Sequence, residues 1–197
     1  MLSAITTEFE LESLSPVAGI TVRKAAMRDI PAILNLINGY AAAGIMLART
    51  EFELSENMRD FAVAFVGDQM VGCGALHFYS PVIGEIRSLA VSSHVKTRGI
   101  GREIIRFLLS EAKDYYLGAV FAFTYVPGFF SRVGFSEVER GALPLKAWKD
   151  CLRCSKFQNC DEIAVLRVLD SALWDPAALS PPELDLFIQL PTPKKIY

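Results

Sequence analysis

The fold is decided by a turn that reads Lys96-Thr97-Arg98-Gly99-Ile100-Gly101-Arg102. It lies between a segment with strand composition and the most regular helical stripe of the chain. Glycines at a strand-to-helix turn let several backbone amides converge, and the positive end of the helix dipole favours an anion there. The turn therefore predicts a site for a pyrophosphate, with Lys96, Arg98 and Arg102 either adding charge or lying solvated around it.

Two other phosphate-binding motifs do not match this turn. A dinucleotide-binding fingerprint needs a third glycine after the first strand of a βαβ unit, but position 104 is Ile104. A Walker loop needs Gly-Lys-Ser/Thr, which the turn lacks. The plain alternative is that two glycines merely open a helix, since a lone Gly-x-Gly is weak evidence.

Upstream of the turn, periodicity predicts a strand, a capped helix, a shorter helix and a hairpin. The apolar spacing and the Asp29-Ile30-Pro31 start indicate the first helix. In chain order we expect a strand over Ile20–Ala25, a helix over Ile30–Ala43, a short helix after Ser55, and strands Phe61–Val66 and Met70–Ser80 joined by Gly67-Asp68-Gln69.

Around and after the turn the pattern predicts alternating strands and helices. The apolar run Ala119–Tyr125 is typical of a strand covered on both faces, as parallel pairing produces. The other expected elements are a strand over Gly84–Val91, a helix over Gly99–Tyr116, a short helix over Pro127–Val133, a strand from Gly134-Phe135 to about Glu139, and a last strand over Ile163–Leu169. This is an α+β layout around a mixed sheet.

Composition limits the partners and the compartment. The chain has 197 residues, 52% of them hydrophobic, with a formal net charge of -2. We expect a flexible extension over residues 1–19, one domain over 20–170 and a Pro-rich extension over 171–197. The weak negative charge argues against nucleic acid, and the lack of a long apolar run argues against a membrane role. We expect a cytoplasmic protein whose oligomeric state, a homodimer included, stays open.

Three motifs in order resemble the core of the GNAT acetyltransferases. They are Glu85–Val91, the Lys-x-x-Gly-x-Gly turn and Phe129-Phe130-Ser131-Arg132-Val133-Gly134-Phe135. The resemblance spans about Ile20 to Leu169 and implies a GNAT fold, with a mixed sheet splayed in a V and helices on both faces. It also implies acetyl-CoA as co-substrate, bound at Leu89, Ala90, Val91, Lys96, Thr97, Arg98, Gly99, Ile100, Gly101, Arg102 and Phe130. The backbone of Leu89 and Val91 would bond the pantetheine arm as an added strand does.

Four further segments resemble the short, kinase-less bacterial N-acetylglutamate synthases: Gly44–Thr50, Gly72–His77, Gly84–Arg87 and Leu143–Cys151. This resemblance implies acetylation of the α-amino group of L-glutamate by direct attack in a ternary complex, the first step of arginine biosynthesis. Two carboxylates call for fixed cationic donors. The candidates are Arg49, His77, Arg87 and Lys146, each with the alternative of a solvated charge or, for His77, a structural histidine.

The reaction needs a base for the acceptor ammonium and a proton for the departing thiolate. Strand alternation places Glu85 on one face with Arg87, Leu89 and Val91, and Glu85 matches the position of a glutamate base in some GNAT enzymes. The alternative is a salt bridge from Glu85 to Arg87. Phe130 stands where many GNAT enzymes have a tyrosine, so Tyr125, a water or the amine proton itself would serve the thiolate.

Cys151, Cys154 and Cys160 are close enough in sequence to suggest three zinc ligands, with Cys73 or a distant histidine as the fourth. The lack of a second Cys-x-x-Cys pair favours free cysteines and no metal. The remaining alternatives are an acetyltransferase for another amine, a non-catalytic module that binds acetyl-CoA, and a zinc-bearing interaction domain.

Overall fold

A computed structural model describes residues 19–95, 99–140, 143, 156 and 159–175. Several sequence predictions lie outside these residues. They are the two chain extensions up to residue 18 and from residue 176, and the side chains of Lys96, Thr97, Arg98, Lys146, Cys151 and Cys154.

The described residues form a seven-stranded mixed sheet, as the sequence predicts. Its order is β1-β2-β3-β4-β5-β7-β6, and β4 and β5 pair in parallel whereas the other pairs are antiparallel. The strands are β1 (Ile20–Lys24), β2 (Phe61–Val66), β3 (Gln69–Ser80), β4 (Ile83–Val91), β5 (Ala119–Thr124), β6 (Ser136–Glu137) and β7 (Ile163–Val168). The strand predicted from Gly134-Phe135 to about Glu139 is shortened to the two residues of β6.

Helices cover both faces of the sheet. On one face α3 (Ile100–Asp114) buries its apolar stripe, including Ile104 and Leu108, against β2 and β4. On the other face α1 (Ile30–Ala42) and α2 (Glu51–Glu56) pack on β2 and β3. A fourth helix, α4, spans Pro127–Ser131. In the described part of the chain, every helix is too short or too polar to cross a lipid bilayer.

The short second helix lies earlier than the sequence analysis placed it. It begins at Glu51 rather than after Ser55, because Thr50 and Glu53 form a capping box. The Glu53 amide donates to Thr50 Oγ1 at 3.2 Å, and the Thr50 amide donates to Glu53 Oε2 at 2.8 Å. Thr-x-x-Glu is a recognised start signal, so the correct position was available in the sequence. A single 3-10 turn, Met58–Asp60, then leads into β2.

The sheet opens between β4 and β5. Only Ile83–Glu85 pair with β5, opposite Ala119–Phe121. The rest of β4, from Ile86 to Val91, has no strand partner on that side among the described residues. The predicted V is therefore present, and Glu85 is the last paired residue before the gap.

A bulge in β4 corrects the predicted alternation. Gly74 of β3 faces two residues of β4, Ser88 and Leu89, because Cys73 pairs with Ala90 and Ala75 pairs with Arg87. Ser88 takes the left-handed conformation, with φ 54°. A bulge of this kind switches the side-chain faces. Leu89 and Val91 consequently pack on the α3 side, together with Ile86, and do not share the face of Glu85 and Arg87.

Candidate active site

The glycine turn begins α3 beside the open end of β4. Gly99 is the N-cap residue with φ 80°, in the left-handed region that favours glycine, and its carbonyl accepts from the Glu103 amide at 3.0 Å. A Cβ on Gly101 would lie 3.2 Å from Phe129 Cζ and 3.8 Å from Val91 Cγ2. The turn thus offers bare backbone at the mouth of the V, where a helix N-terminus favours an anion.

Two glycines of β3 bring α3 close to the sheet. A Cβ on Gly72 would lie 2.9 Å from Ile104 Cδ1, and a Cβ on Gly74 would lie 2.9 Å from Ile104 Cγ2. A side chain at either position would force the Ile104 side chain of α3 to shift. These glycines therefore help to set the height of the α3 N-terminus above the open edge of β4.

Two residues predicted to contact acetyl-CoA, Phe130 and Arg102, also make contacts within the protein. Phe130 is 3% exposed and packs edge-to-face on Phe129 and Phe135, so its side chain belongs to the core and not to the cleft surface. Phe129, which the sequence analysis did not select, is the ring beside the glycine turn. Arg102 keeps a partly exposed side chain, and its Nε atom lies 3.7 Å from Glu103 Oε1.

The open edge of β4 carries the backbone predicted to hold the pantetheine arm. Ala90 is 3% exposed and packs on the α1 side, whereas Leu89 and Val91 are half-buried on the α3 side, so these side chains are core as expected. The Val91 carbonyl already accepts a hydrogen bond from the Tyr40 hydroxyl at 2.6 Å. Tyr40, at the end of α1, is therefore a further residue that shapes this edge.

Glu85 lies on the other face of β4, at the point where the sheet opens. Its residue is 8% exposed, and it pairs across the strands with His77 of β3. The Tyr79 hydroxyl donates to Glu85 Oε2 at 2.9 Å. A buried carboxylate needs such a partner, because desolvation penalises its charged form. The predicted pair of Glu85 and Arg87 on one face is present, and the structure adds Tyr79 to it.

Asp60 connects the two predicted cations of this face. The Nδ1 atom of His77 lies 2.6 Å from Asp60 Oδ2, and because a carboxylate only accepts, Nδ1 carries the hydrogen. Arg87 Nη2 lies 3.6 Å from the same oxygen and 3.4 Å from Asn57 Oδ1, and its side chain is 12% exposed. His77 and Arg87 are therefore held by protein partners, not solvated.

The Asn38 side chain, and not Asp60, holds the backbone of Arg49 in place. The Asn38 side chain of α1 donates to the Arg49 carbonyl at 2.9 Å and accepts from the Arg49 amide at 2.9 Å. This clamp fixes the backbone directly before the Thr50 cap of α2. The segment from Arg49 to Asp60 therefore carries Arg49 itself and the Asp60 carboxylate, which contacts His77 and Arg87.

Tyr125 directly follows β5, across the opening from the end of β4. Lys156 Nζ lies 3.3 Å from the Tyr125 hydroxyl oxygen and 4.8 Å from the ring centroid. Burial is the largest cause that raises the pKa of Tyr125, and the Lys156 ammonium opposes that rise. A raised pKa keeps the phenol protonated at neutral pH, as a proton donor must be.

Cys73 is not available as the fourth zinc ligand of the metal hypothesis. Its side chain lies in the apolar cluster under α1, and burial raises the pKa of its thiol to about 12. Zinc binds the thiolate, which this environment disfavours. Cys160 is a free, half-buried cysteine.

The sequence analysis missed Asp60, Asn57, Tyr79 and Tyr40. Asp60 is 17 residues from His77 and 27 from Arg87 in sequence, and Tyr40 is 51 residues from Val91. No local spacing links such pairs. Tyr79 alone had a usable signal, since strand alternation from His77 places it on the same face.

Comparisons with known proteins agree with this geometry. A model of the acetyltransferase (GNAT) family matches residues 32–135. An uncharacterised N-acetyltransferase of Chlorobaculum tepidum is 40% identical over 154 residues, which are 78% of this chain and 99% of that protein. An amino-acid acetyltransferase of Mycobacterium tuberculosis is 41% identical over 121 residues, 60% of this chain and 69% of that protein.

A solved structure of the same architecture is the N-acetylglutamate synthase of Neisseria gonorrhoeae, in complex with coenzyme A and N-acetyl-glutamate. It aligns with a TM-score of 0.71 and 26% identity over 79% of this chain and 36% of that longer one. The family match, the opening between β4 and β5, and the glycine turn beside that opening all indicate the same family. The chain belongs to the GNAT family and is an N-acetyltransferase with acetyl-CoA as its co-substrate.

Proposed function

We propose that this enzyme acetylates the α-amino group of L-glutamate, with Glu85 as the general base. The observation that carries the proposal is the position of Glu85. It is nearly buried at the point where β4 and β5 part, with Arg87 and His77 on the same face. A base at the mouth of the V lies where an amine would meet the thioester, and neighbouring cations suit an acceptor with carboxylates.

The chemistry follows from these positions. Glu85 takes a proton from the acceptor ammonium, directly or through water, and the neutral amine attacks the thioester carbonyl. A backbone amide of the open β4 edge near Leu89 donates to the oxyanion. The C–S bond then breaks, and the coenzyme A thiolate takes a proton for which we propose Tyr125 as the donor. The attacking nitrogen loses its second proton as the amide forms, and that proton returns, directly or through water, to the Tyr125 phenolate. The products are the N-acetyl amino acid and coenzyme A.

The cations argue for a dicarboxylate acceptor. A carboxylate that enters a partly dry pocket loses hydration and needs charge-assisted partners. We assign this role to Arg87 and His77, with Arg49 and Lys146 as further donors. The names of the Mycobacterium tuberculosis and Neisseria gonorrhoeae proteins support an amino-acid acceptor and glutamate, respectively.

Asp60 supports a second candidate, an amino acid with an uncharged side chain. Its carboxylate contacts both His77 and Arg87 and offsets part of the Arg87 charge. With the pocket charge reduced, one substrate carboxylate is easier to satisfy than two. L-Glutamine has the length of glutamate without the second charge, so it discriminates between the two candidates.

The test is a steady-state assay of thiol release from acetyl-CoA with L-glutamate, L-glutamine, L-aspartate, spermidine and a lysine peptide. We expect the highest kcat/KM with L-glutamate. A preference for L-glutamine would select the second candidate. Turnover confined to spermidine or the peptide would contradict both amino-acid assignments while leaving the family assignment intact.

A further inference from the structure

We infer that Tyr79 is a positioning residue that holds the Glu85 carboxylate in its working orientation. The inference rests on the proposed role of Glu85 as the base. We assign Tyr79 no contact with either substrate. It acts through the hydrogen bond from its hydroxyl to Glu85 Oε2, which is 2.9 Å long.

The Tyr79 ring is fixed from two sides. The His77 ring meets it edge-on, with centroids 5.1 Å apart and an interplanar angle of 86°. The Phe121 ring of β5 lies 5.6 Å away at 43°, and Phe121 is fully buried. Phe121 is also the residue that pairs with Glu85 across the parallel strands. The hydroxyl therefore reaches Glu85 from a ring with little freedom to move.

This arrangement answers a problem that the position of Glu85 creates. Glu85 as a residue is 8% exposed, and burial disfavours the charged form of a carboxylate, yet a carboxylate base must be charged to accept a proton. A hydrogen bond donated to the carboxylate stabilises the charged form. It also holds the Oε2 atom in place and thereby restricts the orientation in which the carboxylate meets the ammonium.

Other charged groups face the same region, and the test must separate them from Tyr79. His77 comes from β3, Arg87 from β4 and Asp60 from the turn before β2, whereas β5 contributes the apolar Phe121. Tyr79→Phe removes one oxygen atom and leaves all of these groups in place. A change in the pH–rate profile of this variant therefore reports the hydroxyl.

The experiment compares Tyr79→Phe, Glu85→Gln and the double variant, with Tyr116→Phe as the matched control. Tyr116 lies two residues after the end of α3, is 78% exposed, and loses the same atom in the control variant. We expect Tyr79→Phe to lower kcat at pH 7 by about tenfold, the scale of one charge-assisted hydrogen bond, and to move the acidic limb of the profile upwards by about one pH unit. The KM for acetyl-CoA should stay unchanged.

The double variant tests whether Tyr79 acts through Glu85. Once the base is gone its orientation no longer matters, so Tyr79→Phe should cost nothing further in the Glu85→Gln background. An additive loss in the double variant would contradict the inference. Glu85→Asp gives an independent check, because it retracts the carboxylate by one methylene group and should reproduce the shift with Tyr79 intact.

Failure of the inference and failure of the proposed function are distinguishable. An impaired Glu85→Gln variant with a Tyr79→Phe profile equal to that of Tyr116→Phe would overturn the role of Tyr79 and leave the base assignment standing. Near-normal turnover of Glu85→Gln would overturn the base assignment, and the role of Tyr79 with it. Thermal unfolding of each variant shows whether a loss of rate is a loss of fold.

Discussion

The two faces of β4 are built in different ways. On the α3 face, Ile86, Leu89 and Val91 pack into an apolar cluster beside a glycine turn that comes within ten residues of the end of the strand. On the opposite face, Glu85 and Arg87 meet polar groups delivered from β3 and from the turn before β2. The proposed cofactor side is thus a local structure, whereas the proposed acceptor side is assembled from distant segments.

The difference predicts how each side responds to mutation. A substitution in the local glycine turn should act through steric contact at one or two backbone positions, and it should weaken acetyl-CoA binding. A substitution in the polar cluster around Glu85 and Arg87 removes one hydrogen-bond partner and leaves the remaining groups buried and unpaired. Such a substitution should affect turnover and acceptor use.

The largest effect is expected at Glu85. Glu85→Gln keeps the shape and removes the base, so kcat at pH 7 should fall by roughly 100-fold or more, with a smaller loss at high pH where more of the amine is neutral. Stopped-time assays over a pH series measure this. Glu51→Gln, on the exposed start of α2, is the matched control. Equal turnover of the two variants would show that the polar face does not contain the base.

The next largest effect is expected at Gly101, in the glycine turn on the α3 face. Gly101→Val places a branched side chain against Phe129 and Val91 at the turn, so close approach of a phosphate to the backbone should be blocked. Loss of two charge-assisted contacts corresponds to about 100-fold weaker acetyl-CoA binding by calorimetry. Gly39→Val is the control, because a Cβ there meets nothing within 4 Å. Unchanged affinity in Gly101→Val would remove the turn from the cofactor site.

A smaller effect is expected at Arg87. Arg87→Lys keeps the charge but loses the planar guanidinium that reaches Asp60 and Asn57, so the KM for the amino-acid acceptor should rise by about tenfold with acetyl-CoA affinity unchanged. Arg59→Lys, exposed one residue before Asp60, serves as the control. A rise in the KM for acetyl-CoA alone would place Arg87 on the cofactor side.

The smallest effect concerns Tyr125. The Lys156 ammonium lowers the pKa of Tyr125, against the larger raising effect of burial, so Lys156→Met should raise that pKa further. A donor works below its pKa, and a higher value therefore extends activity to higher pH. We expect the alkaline limb of the pH–rate profile to move upwards by less than about one pH unit, since Lys156 is solvent-accessible. A downward shift would contradict Tyr125 as the proton donor.

Helix and strand positions followed well from the sequence where the signal was local. The helix after Asp29, the hairpin at Gly67-Asp68 and the long helix after Gly99 all lie within a few residues of their predicted bounds. The start of α2, which the apolar pattern predicts too late, also has a local signal in the Thr50–Glu53 capping box.

The β4 bulge could not be predicted in the same way. Strict alternation predicts Leu89 on the face of Glu85, but Ser88 adopts φ 54° opposite Gly74. At Gly74, side chains of α3 and of Leu89 occupy the space that a Cβ would need. That crowding exists only once the helix is packed on the sheet. The change of face is therefore a tertiary effect on a strand whose own sequence reads as regular.

By itself, the sequence determined the order of the elements, the glycine turn at the start of α3 and the presence of Glu85 and Arg87 on one face, because these depend on spacing within a few residues. The tertiary structure decided which partners those side chains meet. Asp60 faces His77 and Arg87, Tyr79 holds Glu85 and Tyr40 reaches the Val91 carbonyl. Asp60 is 17 residues from His77 and 27 from Arg87, and Tyr40 is 51 residues from Val91, so these contacts form only when the helices and the sheet are packed. Tyr79 and Glu85 are six residues apart, and their hydrogen bond requires β3 and β4 to pair in this register.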